Sequence, residues 1–194
     1  MPKVGVEPIR KAALVNATIS EIGRAGSLDV TVSQIAKRAG MSAALAHHYF
    51  GDKESLFLAA MRHILTVYGA EVRGGLVMAE GPRARLQAIV RTSFSAMNFR
   101  GEVVSAWLNF YVMAQTVPEA QRLLGIYQRR LRSNLLADLR PLLGDGAPRA
   151  AAMLGALIDG VYLREALTRG QPDREAASGL VLLALESELA RGKA

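Results

Sequence analysis

The stretch TVSQIAKRAGMSAALAHHYF, residues 31–50, decides how this chain is read. Thr31 stands just before Val32, Ile35, Ala36 and Ala39, an apolar set at helical spacing, and Gln34 follows three residues after the threonine. Such a pair forms a capping box: the hydroxyl accepts an orphan amide of the first turn while the glutamine reaches back to the threonine amide. Gly40 closes this short helix, and Ser42 caps a second one in which Ala46, Tyr49 and Phe50 share the inward face. Ala43, Ala44, His47 and His48 are left on the outer face, which is small, polar and free of acid. Two short helices around a glycine turn are what a helix-turn-helix needs. The first crosses the DNA backbone and holds the second in the major groove, where each base pair shows a distinct donor and acceptor pattern.

Working outward, Leu14, Ala17, Thr18, Ile22 and Ala25 form one helical stripe upstream, with Gly26 where a left-handed stop belongs. Asp52 caps a fourth helix through Leu56, Phe57, Ala60, Met61, Ile64 and Tyr68. Further on, Gly81-Pro82, Val117-Pro118 and Gln171-Pro172 place proline where a first helical turn tolerates it, and PLLGDGAPR at 141–149 reads as a loop. No alternating β-branched run occurs, so the chain is expected to be all-α with about nine helices. The expected division is a helix-turn-helix module at 8–68 and a larger helical part at 69–194, joined rigidly by the fourth helix.

Lysine and arginine number 24 against 17 acidic residues, a net charge of +7, which favours a polyanionic partner. Residues 1–53 carry an excess of three bases, so charge supports a DNA-binding reading without making it. There is no cysteine, which removes disulfides, thiolate metal sites and cysteine nucleophiles. No dinucleotide fingerprint, phosphate loop or zinc spacing appears, so neither enzyme nor cofactor is expected, and His47 and His48 have no metal-ligand pattern around them. MPKVGVEPIRKAALV lacks a signal peptide's apolar region, and no stretch approaches the roughly 20 apolar residues of a membrane span. A cytoplasmic protein without membrane contact is expected.

IAKRAGMSAALAHHYFGDKESL resembles the signature of TetR-family repressors, and the length and helix layout match that family over essentially the whole chain. The resemblance implies a two-fold homodimer with a three-helix DNA-binding domain and a six-helix ligand-binding domain. It sets Thr31, Ser42 and Lys53 at backbone-contacting positions and Ala43, Ala44 and His48 in the base-reading stretch. His47 falls where the family usually carries a phosphate-binding tyrosine. With Gln34 of the capping box, these eight residues are the candidate contacts to double-stranded operator DNA.

MPKVGVEPIRKAALVNAT, AWLNFY at 106–111, RRLRSNLLADLR at 129–140 and LIDGVYLREAL at 157–167 are similar to the choline-responsive branch of the family, which represses glycine betaine synthesis. A quaternary ammonium donates no hydrogen bonds, so aromatic faces and a carboxylate are what hold it. Trp107, Tyr111, Asp159 and Tyr162 are the candidate ligand residues, with Phe110 assigned to the core. Aromatic stripes at helical spacing also build ordinary cores, and both readings stand at this stage. The runs at 150–163 and 180–185 are apolar nearly all round, which fits either a four-helix dimer interface or a monomer core. A repressor of an efflux or lipid pathway, sensing a bulky hydrophobic compound, is the alternative on the same fold.

Overall fold

The structure, a computed structural model, describes residues 5–168 and 170–192. Its helices are α1 (Val6–Ala25), α2 (Val32–Arg38), α3 (Ala43–Phe50), α4 (Lys53–Met78), α5 (Gly81–Ser93), α6 (Gly101–Met113), α7 (Pro118–Leu143), α8 (Ala147–Ala166) and α9 (Arg174–Arg191). A 3-10 turn at Gly144–Gly146 joins α7 to α8, and the described residues contain no strand. The all-α fold is as the apolar periodicity requires.

The helices form two compact units, Met1–Thr66 with Arg100–Leu124 and Val67–Phe99 with Gly125–Ala194. In the first, Leu14 and Ile22 of α1, Ile35 of α2, Ala46 of α3, Leu56 and Met61 of α4 and Phe110 of α6 are buried to 1% exposure or less. Each such large aliphatic or aromatic side chain contributes roughly 1.5–3 kcal/mol when removed from water. Ala25 falls outside this stripe and is exposed. Chain order alone did not show that α6 packs on α1.

In the second unit, α5, α8 and α9 pack on one another around Leu86, Ile89, Leu154, Ile158, Val181 and Leu185. Two acids are buried with them, and each is paired. Asp138 accepts from Arg85 Nε at 2.8 Å, and Glu188 lies between Arg149 and Arg191. A buried carboxylate needs such partners to offset its lost hydration.

Three expectations change. The segment 141–149 is not a loop: α7 runs through Pro141 to Leu143, and Pro148 sits in the first turn of α8. Pro141 is tolerated because it falls in the last turn, where the amide it lacks would have met the carbonyl of exposed Ala137, which water can reach. Pro172 precedes the Asp173 cap of α9 instead of entering its first turn, because Asp173 accepts the Ala176 amide at 2.9 Å and fixes the start there. The run at 150–163 is not buried all round in this chain, since Ala152, Ala156, Gly160 and Leu163 form an exposed strip of small and apolar side chains.

Candidate nucleic-acid interface

Helix α3 is held by its flanks. Thr31 Oγ accepts the Gln34 amide at 3.1 Å and Gln34 Oε1 accepts the Thr31 amide at 2.6 Å, so the capping box is complete. At the other end of α2, the Gly40 amide donates to Lys37 O at 3.1 Å and the Met41 amide to Ala36 O at 2.9 Å, with Gly40 at φ +68°. That is a full Schellman closure, and a left-handed residue is required there. Ser42 Oγ then accepts the Leu45 amide at 3.2 Å to start α3.

Beneath this turn lies a clamp that sequence reasoning missed. Glu21 of α1 is 4% exposed, and its carboxylate is bonded by Arg24 on the same helix and Arg38 on α2. The bonds from Arg24 and then Arg38 hold its pKa below the ordinary glutamate value. The clamp therefore sets α2, and with it the turn, on α1. No local pattern announced it, because Arg38 is 17 residues away.

On α3 itself, Ala46 is fully buried, Tyr49 and Phe50 are half-buried, and Ala44, His47 and His48 are exposed, with Ala43 intermediate. His47 Nδ1 donates to the Gly51 carbonyl at 2.6 Å, a tautomer assigned from that acceptor. This bond ties the end of α3 to the turn that starts α4 and leaves His47 occupied on one side. Asp52 accepts the Ser55 amide at 2.7 Å to cap α4, and Lys53 Nζ donates to the Leu28 carbonyl at 3.1 Å with the side chain exposed. All eight sequence-chosen positions thus lie in the first unit: Thr31 and Gln34 at the start of α2, Ser42 and the four chosen residues of α3, and Lys53 at the start of α4.

The four ligand candidates divide between the units. In the first, Trp107 is buried and its ring lies 5.6 Å from that of Tyr111 and 5.8 Å from fully buried Phe110. In the second, Tyr162 donates to the Asn98 carbonyl at 2.8 Å and its ring lies 4.9 Å from that of Phe99. Asp159 accepts from the Tyr127 hydroxyl at 2.8 Å, and burial raises its pKa, partly offset by that bond. Tyr68 completes the group: its ring is 6.1 Å from Tyr127's, and its hydroxyl, 2.9 Å from Ser93 Oγ, has its pKa pushed up to about 12 by burial. Nothing in the sequence ties Tyr127 or Tyr68 to Asp159, because the three stand on different helices.

A helix-turn-helix with an acid-free exposed face, built into an all-helical chain, defines a DNA-binding regulator. A model of the tetR family of bacterial regulatory proteins matches residues 14–60, and one described as the C-terminal part of BetI-type transcriptional repressors matches residues 82–190. The chain is 50% identical over 182 residues to the HTH-type transcriptional regulator BetI of Brucella anthropi, covering 93% of this chain and 94% of that one. Among solved structures, a putative transcriptional regulator from Pseudomonas aeruginosa PAO1 matches with a TM-score of 0.82 and 27% identity over 94% of this chain and 91% of that chain. A putative regulator from Saccharomonospora viridis, solved in complex with choline, shares the fold with a TM-score of 0.80 and 20% identity over 91% and 95% of the two chains. The chain belongs to the TetR family of transcriptional repressors, in its BetI-type branch, and is not an enzyme.

Proposed function

We propose that this repressor controls choline uptake and glycine betaine synthesis genes and leaves its operator when a choline-like quaternary ammonium binds. The observation that carries the sensing half is the Asp159 carboxylate held by Tyr127, with the Tyr68 ring beside Tyr127 in the second unit. A methylated ammonium presents only apolar, positively polarised surface, which aromatic faces and one carboxylate satisfy without any hydrogen bond. The BetI name of the relatives and the choline bound to the Saccharomonospora protein support the same ligand class. On this reading Tyr162 positions the 98–99 turn through Asn98, while Trp107 and Tyr111 remain candidates for the wall of a site.

In this proposal residues 8–68 read DNA and 69–194 sense ligand and dimerise, in the cytoplasm. No helix among the described residues is long and apolar enough to cross a membrane. A similar exposed strip runs along α9, where Ala176, Leu180, Leu183 and Ser187 face solvent at helical spacing. Two copies sharing these faces make a four-helix interface, and a two-fold dimer sets its reading helices about 34–36 Å apart on a near-palindromic operator. Ligand shifts the dimer away from that spacing, so inducer and DNA oppose each other by equal factors.

The test uses DNA selected from a random pool by this protein. Calorimetry with choline, betaine aldehyde and glycine betaine is expected to show binding of the cations, and choline is expected to weaken the selected complex in a gel shift. Unchanged DNA affinity at saturating choline would reject the inducer, and release by a bulky hydrophobic compound instead would favour an efflux or lipid pathway.

A further inference from the structure

We propose that the first unit holds a second ligand site, for a straight-chain amphiphile bearing a single negative charge. A cavity of about 430 Å³ opens there between α1, α2, the start of α4 and the end of α6. Small-molecule sites commonly span about 300–1,000 Å³. The buried side chains of Ile22, Val30, Ile35 and Phe57 form its floor, and Val112 stands at its mouth. Val112 is 66% exposed, a large apolar side chain left in water on the last turn of α6. An aliphatic tail covers it.

Two of the polar side chains in the lining are already paired, and Gln115 and Thr116 stand exposed at the mouth, open to water. Thr18 donates to Leu14 O at 2.8 Å and Asn109 to Ser105 O at 2.8 Å, so an apolar tail leaves neither unpaired. The rim is different. Lys53 has three N–H donors, spends one on the Leu28 carbonyl, and forms no ion pair among the described residues. A carboxylate head complements it. Glu54 lies on the same rim, and its negative charge opposes a doubly charged head such as a phosphate monoester.

Lys53 is also a candidate phosphate contact, so a carboxylate seated on it competes with DNA for one ammonium. Occupancy of this site therefore weakens operator binding, whether or not choline acts on the second unit.

The probes are decanoate, octanoate, decanol and decyl phosphate, each titrated calorimetrically below its micellar concentration into the full chain. Decanoate is expected to bind, octanoate roughly tenfold more weakly, as two fewer buried methylenes require, and decanol and decyl phosphate more weakly than decanoate. Val112→Trp, at an exposed position, fills the cleft and is expected to weaken decanoate about tenfold or more. Val112→Asp does the same by charge. Both should keep the wild-type circular dichroism, choline response and selected-DNA affinity, whereas decanoate releases that DNA only from the wild type. No decanoate binding, decanol or decyl phosphate binding as tightly as decanoate, or undiminished decanoate binding by either Val112 variant would overturn the site. None of these results depends on the choline reading.

Discussion

Gly23 of α1 lies directly against the backbone of Glu102 in the first turn of α6, so close that a Cβ at position 23 would stand 2.6 Å from the Glu102 Cα. Real side chains do not approach that closely, so the missing side chain is what lets α6 seat on the DNA-reading unit. Asn109 extends the contact by donating to the Gly26 carbonyl at 3.4 Å.

Gly23→Ala is accordingly expected to push α6 away from α1. Overpacking of this kind costs about 1–3 kcal/mol, and alanine's better helix propensity returns at most about 1 kcal/mol of it. Urea denaturation should show a lower midpoint, with Gly23→Val lower still; equal midpoints for all three would mean that the helices part without cost.

Gly40 should resist substitution for a different reason. No atom blocks a side chain there, but its φ of +68° is left-handed. Alanine in that conformation costs roughly 1–2 kcal/mol, comparable to the loss of about 1 kcal/mol from removing the Thr31 cap. Both variants should weaken operator DNA more than their loss of global stability explains, because each loosens the turn that aims α3. Retained DNA affinity in both would show that the turn is held by α3 packing alone.

Lys53→Ala is expected to weaken all DNA sequences alike and to reduce the salt slope of binding by about one. His48→Ala, at an exposed position of α3, should leave the slope nearly unchanged and relax preference at particular bases. Binding to selected and scrambled duplexes across a salt series separates the two, and matching profiles would end the division of roles.

If Asp159 holds the cation as proposed, choline binding should depend on pH. Its pKa is raised above the ordinary 3.8 by burial, and only the ionised form attracts a cation. Affinity should therefore be full well above the raised value and fall as pH drops through it, earlier than for a solvated aspartate. Because the folded protein holds this proton more tightly than the unfolded chain, ionisation of Asp159 costs stability as pH rises from 3.8 through the raised value. Asp159→Asn should abolish choline binding and its pH dependence while leaving neutral-pH stability equal or higher. A loss of stability at neutral pH would indicate that the ionised carboxylate holds the fold.

Leu183 is 66% exposed on α9, in the middle of the outer apolar strip. Leu183→Glu should shift sedimentation from dimer to monomer and remove tight operator binding with helicity intact. A variant that stays dimeric would place the interface elsewhere.

Much of this protein was written in short-range pattern. The capping box at Thr31 and Gln34, the glycine at 40 and the caps at Ser42 and Asp52 act over three or four residues, so their spacing fixed the reading unit and its exposed face directly. The family signature lies in the same stretch for the same reason. Elements joined across long sequence separations were closed to such reading. The Glu21–Arg38 clamp, the Gly23–Glu102 approach and the meeting of Tyr127 with Asp159 each depend on how whole helices pack, and helical periodicity says which side of a helix turns inward but not what it meets. Packing also decided that α6 returns to the first unit and that the outer faces of α8 and α9 stay uncovered in one chain. A stripe of alanine, glycine and leucine looks the same in sequence whether its partner belongs to the same molecule or to another.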